Sequence, residues 1–199
     1  MELEYKWQIP QETLAALAAY LHDLPGRLSH ETLSMAASYY DTADGTVRRL
    51  GAALRLRREN DRTVCCLKRT VQKEGALAER EEYEQEAETL REGLQKLPQA
   101  GAPAGLCKML ELQELRAFAM TEFIRNCYLI AAEGFTAEFA VDVGRLGNPE
   151  KMLPFEELEL ELKSGDPEAF RRCAEQLQAQ FSLQPQPLSK LARAASVTS

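Results

Sequence analysis

Acids and bases recur along this chain at strand spacing, where side chains two apart share a face. Glu2, Glu4 and Lys6 share one face of the first segment, opposite Leu3, Tyr5, Trp7 and Ile9. Arg55 and Arg57 share a face opposite Leu54 and Leu56. Arg80, Glu82 and Glu84 form a third set, and Glu157, Glu159, Glu161 and Lys163 a fourth, opposite Leu158, Leu160 and Leu162. Lys68, Arg125 and Asp142 fall within other strand candidates. One such strand is ordinary, because a surface strand turns its apolar face to the core and its charged face to water. Several together are not. Glutamates stacked at i and i+2 repel one another, and a divalent cation removes that conflict, since Mg²⁺ and Mn²⁺ prefer carboxylate oxygens. Arginines and lysines facing the same space suit a polyanion such as a phosphate chain.

The elements that must position these residues are mostly strands. Strand candidates lie at 2–9, 34–41, 52–59, 62–70, 79–86, 115–120, 123–132, 135–144 and 153–163. Turn signals fall at Asp44-Gly45, Asn60-Asp61 and Glu133-Gly134. Residues 11–22, 88–97, 167–181 and 188–195 read as helices. The third begins Asp166-Pro167, an N-cap followed by proline at the first helical position. The stretch 97–105 is rich in Pro, Gly and Ala and reads as a linker or a long loop. About eight strands and few helices predict an antiparallel α+β sheet or barrel. The charged faces then point inward and the Ala/Leu-rich helices cover the apolar outside. This inverts the usual barrel, and a charged interior is expensive unless its charges are paired or bind a ligand.

Composition narrows the class. The chain has 199 residues, a net charge of -7 and 45% hydrophobic residues, enough for one sizeable core. Its acidic balance argues against a general nucleic-acid binder and against a polybasic membrane-surface protein. No apolar run reaches the ~18 residues of a membrane helix, and no signal peptide is visible. The five cysteines are odd in number and suit neither a disulfide framework nor a zinc site, and two histidines are too few for a His-based metal site. A reducing cytoplasm is the expected location.

The ordered blocks of this chain resemble the CYTH family, the triphosphate tunnel metalloenzymes. The blocks are Glu2-x-Glu4-x-Lys6, Tyr39-Tyr40-Asp41-Thr42, Leu54-Arg55-Leu56-Arg57, Leu67-Lys68 and Arg80-x-Glu82-x-Glu84. Arg125, Asp142-Val143-Gly144, the acidic strand from Glu157 to Lys163, and Ser189-Lys190 complete the set. The resemblance implies one domain over 1–195, with a flexible tail at 196–199, built as an eight-stranded antiparallel barrel with a polar, charged interior and helices outside. It implies metal-dependent hydrolysis of a small-molecule triphosphate, with inorganic tripolyphosphate as the leading substrate. Class IV adenylate cyclase, thiamine triphosphatase and a non-catalytic polyphosphate- or nucleotide-binding module remain as alternatives.

By that resemblance, Glu2, Glu4, Glu159 and Glu161 are metal ligands for Mg²⁺ or Mn²⁺. Arg55, Arg57, Lys68, Arg125 and Lys190 clamp phosphate, with Arg80 and Lys163 added to the substrate-binding set. Lys6 holds phosphate or orients the attacking water, and with Glu4, Arg57 and Lys68 makes up the catalytic set. Glu82, Glu84 and Asp142 either bind metal or order the basic side chains.

Overall fold

The structure is a computed structural model. It describes residues 3–74 and 77–198, with the side chains of residues 70–74 and 77–80 left out. The described residues form nine strands, β1 (Glu4–Gln8), β2 (Arg27–Asp41), β3 (Ala52–Glu59), β4 (Arg62–Glu74), β5 (Leu77–Glu86), β6 (Arg116–Ala132), β7 (Phe135–Gly147), β8 (Met152–Gly165) and β9 (Gln184–Pro185), with β3 to β5 and β6 to β8 following one another directly. The helices are α1 (Leu14–Asp23), α2 (Thr46–Arg49), α3 (Leu90–Lys96), a 3₁₀ turn (Leu97–Ala100), α4 (Ala104–Glu111), α5 (Pro167–Phe181) and α6 (Lys190–Ala195). The antiparallel α+β class expected from the sequence is what forms. The hydrogen-bonded order runs from β5 to β9, and no ladder joins those two strands among the described residues.

Contacts divide the chain into two compact units. The first holds Met1–Ser34, Phe123–Arg145 and Leu153–Ser189, and the second holds Met35–Glu122, Leu146–Met152 and Lys190–Ser199. The long strands β2 and β6 contribute residues to both.

In the first unit, strand alternation sends one face to a core of Trp7, Ile9, Phe139, Leu158 and Leu160. The amphipathic helices α1 and α5 cover it with Leu17, Leu21, Phe170, Leu177 and Phe181. Asp166 caps α5 by accepting hydrogen bonds from the backbone N–H groups of Glu168 and Ala169, and Pro167 sets the first turn. The opposite face carries Glu4 and Lys6 of β1, Arg125 of β6, Asp142 of β7 and Glu157, Glu159 and Glu161 of β8.

In the second unit, Leu54, Cys65 and Leu67 pack beneath Val47, Leu94, Leu97, Cys107 and Leu110 from the helical segments. Gly93 allows the close approach of α3, since a Cβ there would lie 2.2 Å from Cys65 Cβ. The other face of these strands carries Arg55, Arg57, Lys68, Glu82 and Glu84.

Several sequence expectations shift. β2 starts at Arg27 rather than residue 34; its first six residues are exposed and show no alternation that would mark them in the sequence. The candidates 115–120 and 123–132 are one continuous strand, β6. The stretch 97–105 is a 3₁₀ turn leading into α4, held by buried Leu97 and Ala102. Past α6, Asn148 Nδ2 and Lys151 Nζ donate to the carbonyls of Val197 and Thr198. Among the described residues, no helix is long and apolar enough to cross a membrane.

Candidate functional site

Antiparallel pairing builds the acidic face of the first unit. β1 and β8 pair with Glu4 opposite Glu161, Lys6 opposite Glu159 and Gln8 opposite Glu157. Directly opposed residues share a face, so the acids of β8 and the charges of β1 form one patch. Lys6 Nζ lies 3.7 Å from Glu4. Lys163 Nζ lies 2.7 Å from Glu161 and 3.8 Å from Glu138, so this lysine is tied to carboxylates.

Beside this row, Arg125 donates to both carboxylate oxygens of Asp142, from Nε at 2.7 Å and Nη2 at 2.6 Å, and from Nη2 to Glu159 at 2.5 Å. Asp142 and Glu157 are fully buried. Burial opposes the charge of Arg125, but its hydrogen bonds to Asp142 and the charges of Asp142 and Glu159 hold its pKa well above the ordinary guanidinium value. Oxygens of Asp142, Glu157 and Glu159 lie within 4.8 Å of one another. Carboxylate oxygens are the donors a hard divalent cation takes, so the donor chemistry agrees with the metal that the sequence implies, although Arg125 already holds two of these three groups.

The second unit carries the basic cluster. Lys68 lies 2.8 Å from Glu82, Arg57 Nε lies 2.7 Å from Glu59, and Arg55 and Arg57 each approach Glu84 at 3.5 Å. Burial raises the pKa of Glu82, but the hydrogen bonds from Lys68 and Cys66 and the nearby cations pull it below the usual carboxylate value. Burial also works against the charge of Arg55, and Tyr39, Cys66 and Glu84 more than restore it, holding its pKa above the ordinary value. Ligand atoms of Cys66, Glu82 and Glu84 also lie within 4.8 Å of one another. Burial pushes the Cys66 thiol up to about 12, so it stays protonated, and the two carboxylates already face cations. This trio fits the ordering of basic side chains better than it fits a metal.

The sequence-predicted residues therefore fall into two groups. Glu4, Lys6, Arg125, Asp142, Glu159, Glu161 and Lys163 lie in the first unit, and Arg55, Arg57, Lys68, Glu82, Glu84 and Lys190 in the second. Lys190 opens α6. Glu2 and the side chain of Arg80 lie outside the described residues. Three polar groups at these clusters escaped the sequence reading as site residues. Glu157 shares the alternation of the β8 acids, which was a usable signal. Tyr39 and Cys66 are identified only by register, as the neighbours of Arg55 on β2 and β4.

Comparison with known proteins places the fold. The CYTH domain family model matches residues 1–195, and the chain belongs to that family. An inorganic triphosphatase of Haemophilus influenzae is 29% identical over 170 residues, which is 83% of this chain and 46% of that protein. The chain thus spans about half the length of this curated relative. HpAC1 of Hippeastrum, described as a candidate adenylyl cyclase with a dominant triphosphatase activity, superposes with a TM-score of 0.59 at 19% identity, covering 100% of this chain and 98% of that one. A Bacillus halodurans protein described as a candidate adenylate cyclase superposes with a TM-score of 0.56 at 19% identity, covering 95% and 94%. These two structures share the fold.

Proposed function

We propose that this chain is a divalent-metal-dependent triphosphatase that hydrolyses inorganic tripolyphosphate in the cytoplasm, with Mg²⁺ or Mn²⁺, as one domain over 1–195 with a short tail. The observation that carries the reading is the β1–β8 register, which opposes Glu4 to Glu161 and Lys6 to Glu159 next to the Asp142, Glu157 and Glu159 carboxylates. Plain solvent faces do not bury acids in this way. The likeness to an inorganic triphosphatase supports the choice of substrate.

Glu4, Glu159 and Glu161 would hold the cation, with Asp142, and with Glu2 from the sequence resemblance. When bound, a divalent cation neutralises phosphate oxygens and activates water. The chain's own residues do the rest. Arg125 fixes Asp142 and Glu159 in place. Arg55, Arg57 and Lys68 bind phosphate oxygens and offset the charge that grows on them as the anhydride bond breaks. Arg80, Lys163 and Lys190 extend this set in the proposal, with Lys163 held beside Glu161 by their ion pair. Glu82 and Glu84 keep the cations aimed while the site waits for substrate. Lys6 orients water for in-line attack on the terminal phosphorus. Pyrophosphate leaves, and orthophosphate is the other product.

The test is phosphate release by the purified protein from tripolyphosphate, ATP and thiamine triphosphate, each with Mg²⁺, Mn²⁺ or EDTA. Fast release from tripolyphosphate that needs metal and disappears in Glu4→Gln is the expected result. Cyclic AMP from ATP without phosphate release would move the protein to the cyclases. Tight tripolyphosphate binding without any product would make it a binding module.

A further inference from the structure

We infer that Tyr39 is a positioning residue for Arg55, and that its hydroxyl sets the direction in which this guanidinium meets a phosphate oxygen. The inference rests on the function proposed above. Tyr39, Arg55, Cys66 and Glu84 form one cross-strand row over β2, β3, β4 and β5. Neighbours in such a row are in side-chain contact. The ring of Tyr39 is buried, so packing fixes the position of its hydroxyl. The register puts that hydroxyl on the same face as Arg55, its directly opposed neighbour.

The other partners of Arg55 hold it loosely. Its Nη2 lies 3.5 Å from Glu84 and 3.8 Å from Glu82. Both distances exceed those of an aligned charge-assisted hydrogen bond. The buried Nε has no hydrogen-bond partner in the protein. The carboxylates therefore attract the guanidinium without fixing its plane, and the phenol is the neighbour in the row that is placed to fix it. Arg57 Nε is likewise buried without a hydrogen-bond partner, but its row neighbours are Ala37 and Val64, so no phenol faces it, and its charge is met by Glu59 at 2.7 Å. A phenol also suits the task chemically. It is neutral at neutral pH, so it aligns a guanidinium without cancelling the charge that a polyanion must meet. An acid in the same place would compete with the substrate.

The experiment is a double-mutant cycle on the full chain, with tripolyphosphate and Mg²⁺ or Mn²⁺ as the probe. Tyr39→Phe keeps the ring and removes the hydroxyl. Its melting temperature should match the wild type, and kcat/KM should fall about tenfold, the scale of one hydrogen bond to a charged group. The fall should lie in kcat more than in KM, because a misaligned guanidinium still attracts the polyanion. Arg55→Ala should lose more, and adding Tyr39→Phe to it should change nothing further. Wild-type kinetics in Tyr39→Phe, or an equal tenfold loss on both backgrounds, would overturn the inference. If Arg55→Ala itself keeps wild-type kcat/KM, the basic cluster is not the phosphate site and the proposed function fails instead. A readout independent of turnover separates the two cases. The Arg55 Nε–Hε resonance should broaden or shift in Tyr39→Phe, and an unchanged, equally ordered resonance would contradict positioning whatever the activity.

Discussion

Replacing Arg125 by methionine keeps a long stem and removes a guanidinium that makes three short hydrogen bonds, two to Asp142 and one to Glu159. Asp142 is fully buried, so it would remain as a buried charge without the guanidinium that pairs with it. Breaking such a pair from one side costs about 3–5 kcal/mol, because the surviving charge keeps its desolvation penalty. In a chain of this size each kcal/mol lowers the melting temperature by about 2–4 °C, so Arg125→Met should melt about 6–20 °C lower. The double variant Arg125→Met/Asp142→Asn should recover at least half of that loss, since the amide no longer carries a buried charge. Thermal unfolding followed by circular dichroism at neutral pH reads both. A single variant within about 3 °C of wild type, or a double variant no better than the single, would refute the reasoning.

The basic cluster should behave differently. Lys68 is half exposed and pairs with Glu82 at 2.8 Å, so Lys68→Ala should lose no more than about 1 kcal/mol of stability yet slow tripolyphosphate hydrolysis about 100-fold, which melting and turnover assays check together. Asp41 shows a pH effect of known sign. Burial raises its pKa, but hydrogen bonds from the N–H groups of Val47, Thr42 and Arg48 and from the Arg48 side chain outweigh this and leave it below the ordinary value of 3.8. Its stabilisation is therefore fully present above that value and is lost as pH falls through the lower, folded-state pKa. The melting-temperature gap between wild type and Asp41→Asn should be constant from neutral pH to about pH 5 and shrink on further acidification. Gly165 sits at φ +103°, and a Cβ there would lie 2.3 Å from the carbonyl oxygen of Gly134, so Gly165→Ala should be destabilised by more than about 1 kcal/mol in denaturant unfolding.

Period-2 alternation made much of this protein legible before its structure. Glu157 to Leu162 alternate so strictly that the core face and the acid face of β8 follow from the sequence alone, and burial of Leu158 and Leu160 agrees. The Asp166-Pro167 cap of α5 was equally plain. The entry into β2 was not, because Arg27 to Thr32 are exposed on both faces and leave no alternation to read. Helix α4 was hidden because prolines and glycines around it look like a loop, while Cys107 and Leu110 are buried by tertiary packing that local sequence does not encode. For the site, the residue types were legible and the pairings were not. That Arg125 binds Asp142 and Glu159, and that Tyr39 adjoins Arg55, depends on strand register, which is set by long-range pairing.

The most direct test of the central claim is a ³¹P NMR time course of tripolyphosphate with the purified protein and Mg²⁺, repeated with Mn²⁺. The expected result is conversion to equal amounts of pyrophosphate and orthophosphate, stopped by EDTA. A spectrum that stays that of tripolyphosphate, with protein at stoichiometric concentration and either metal present, would contradict it.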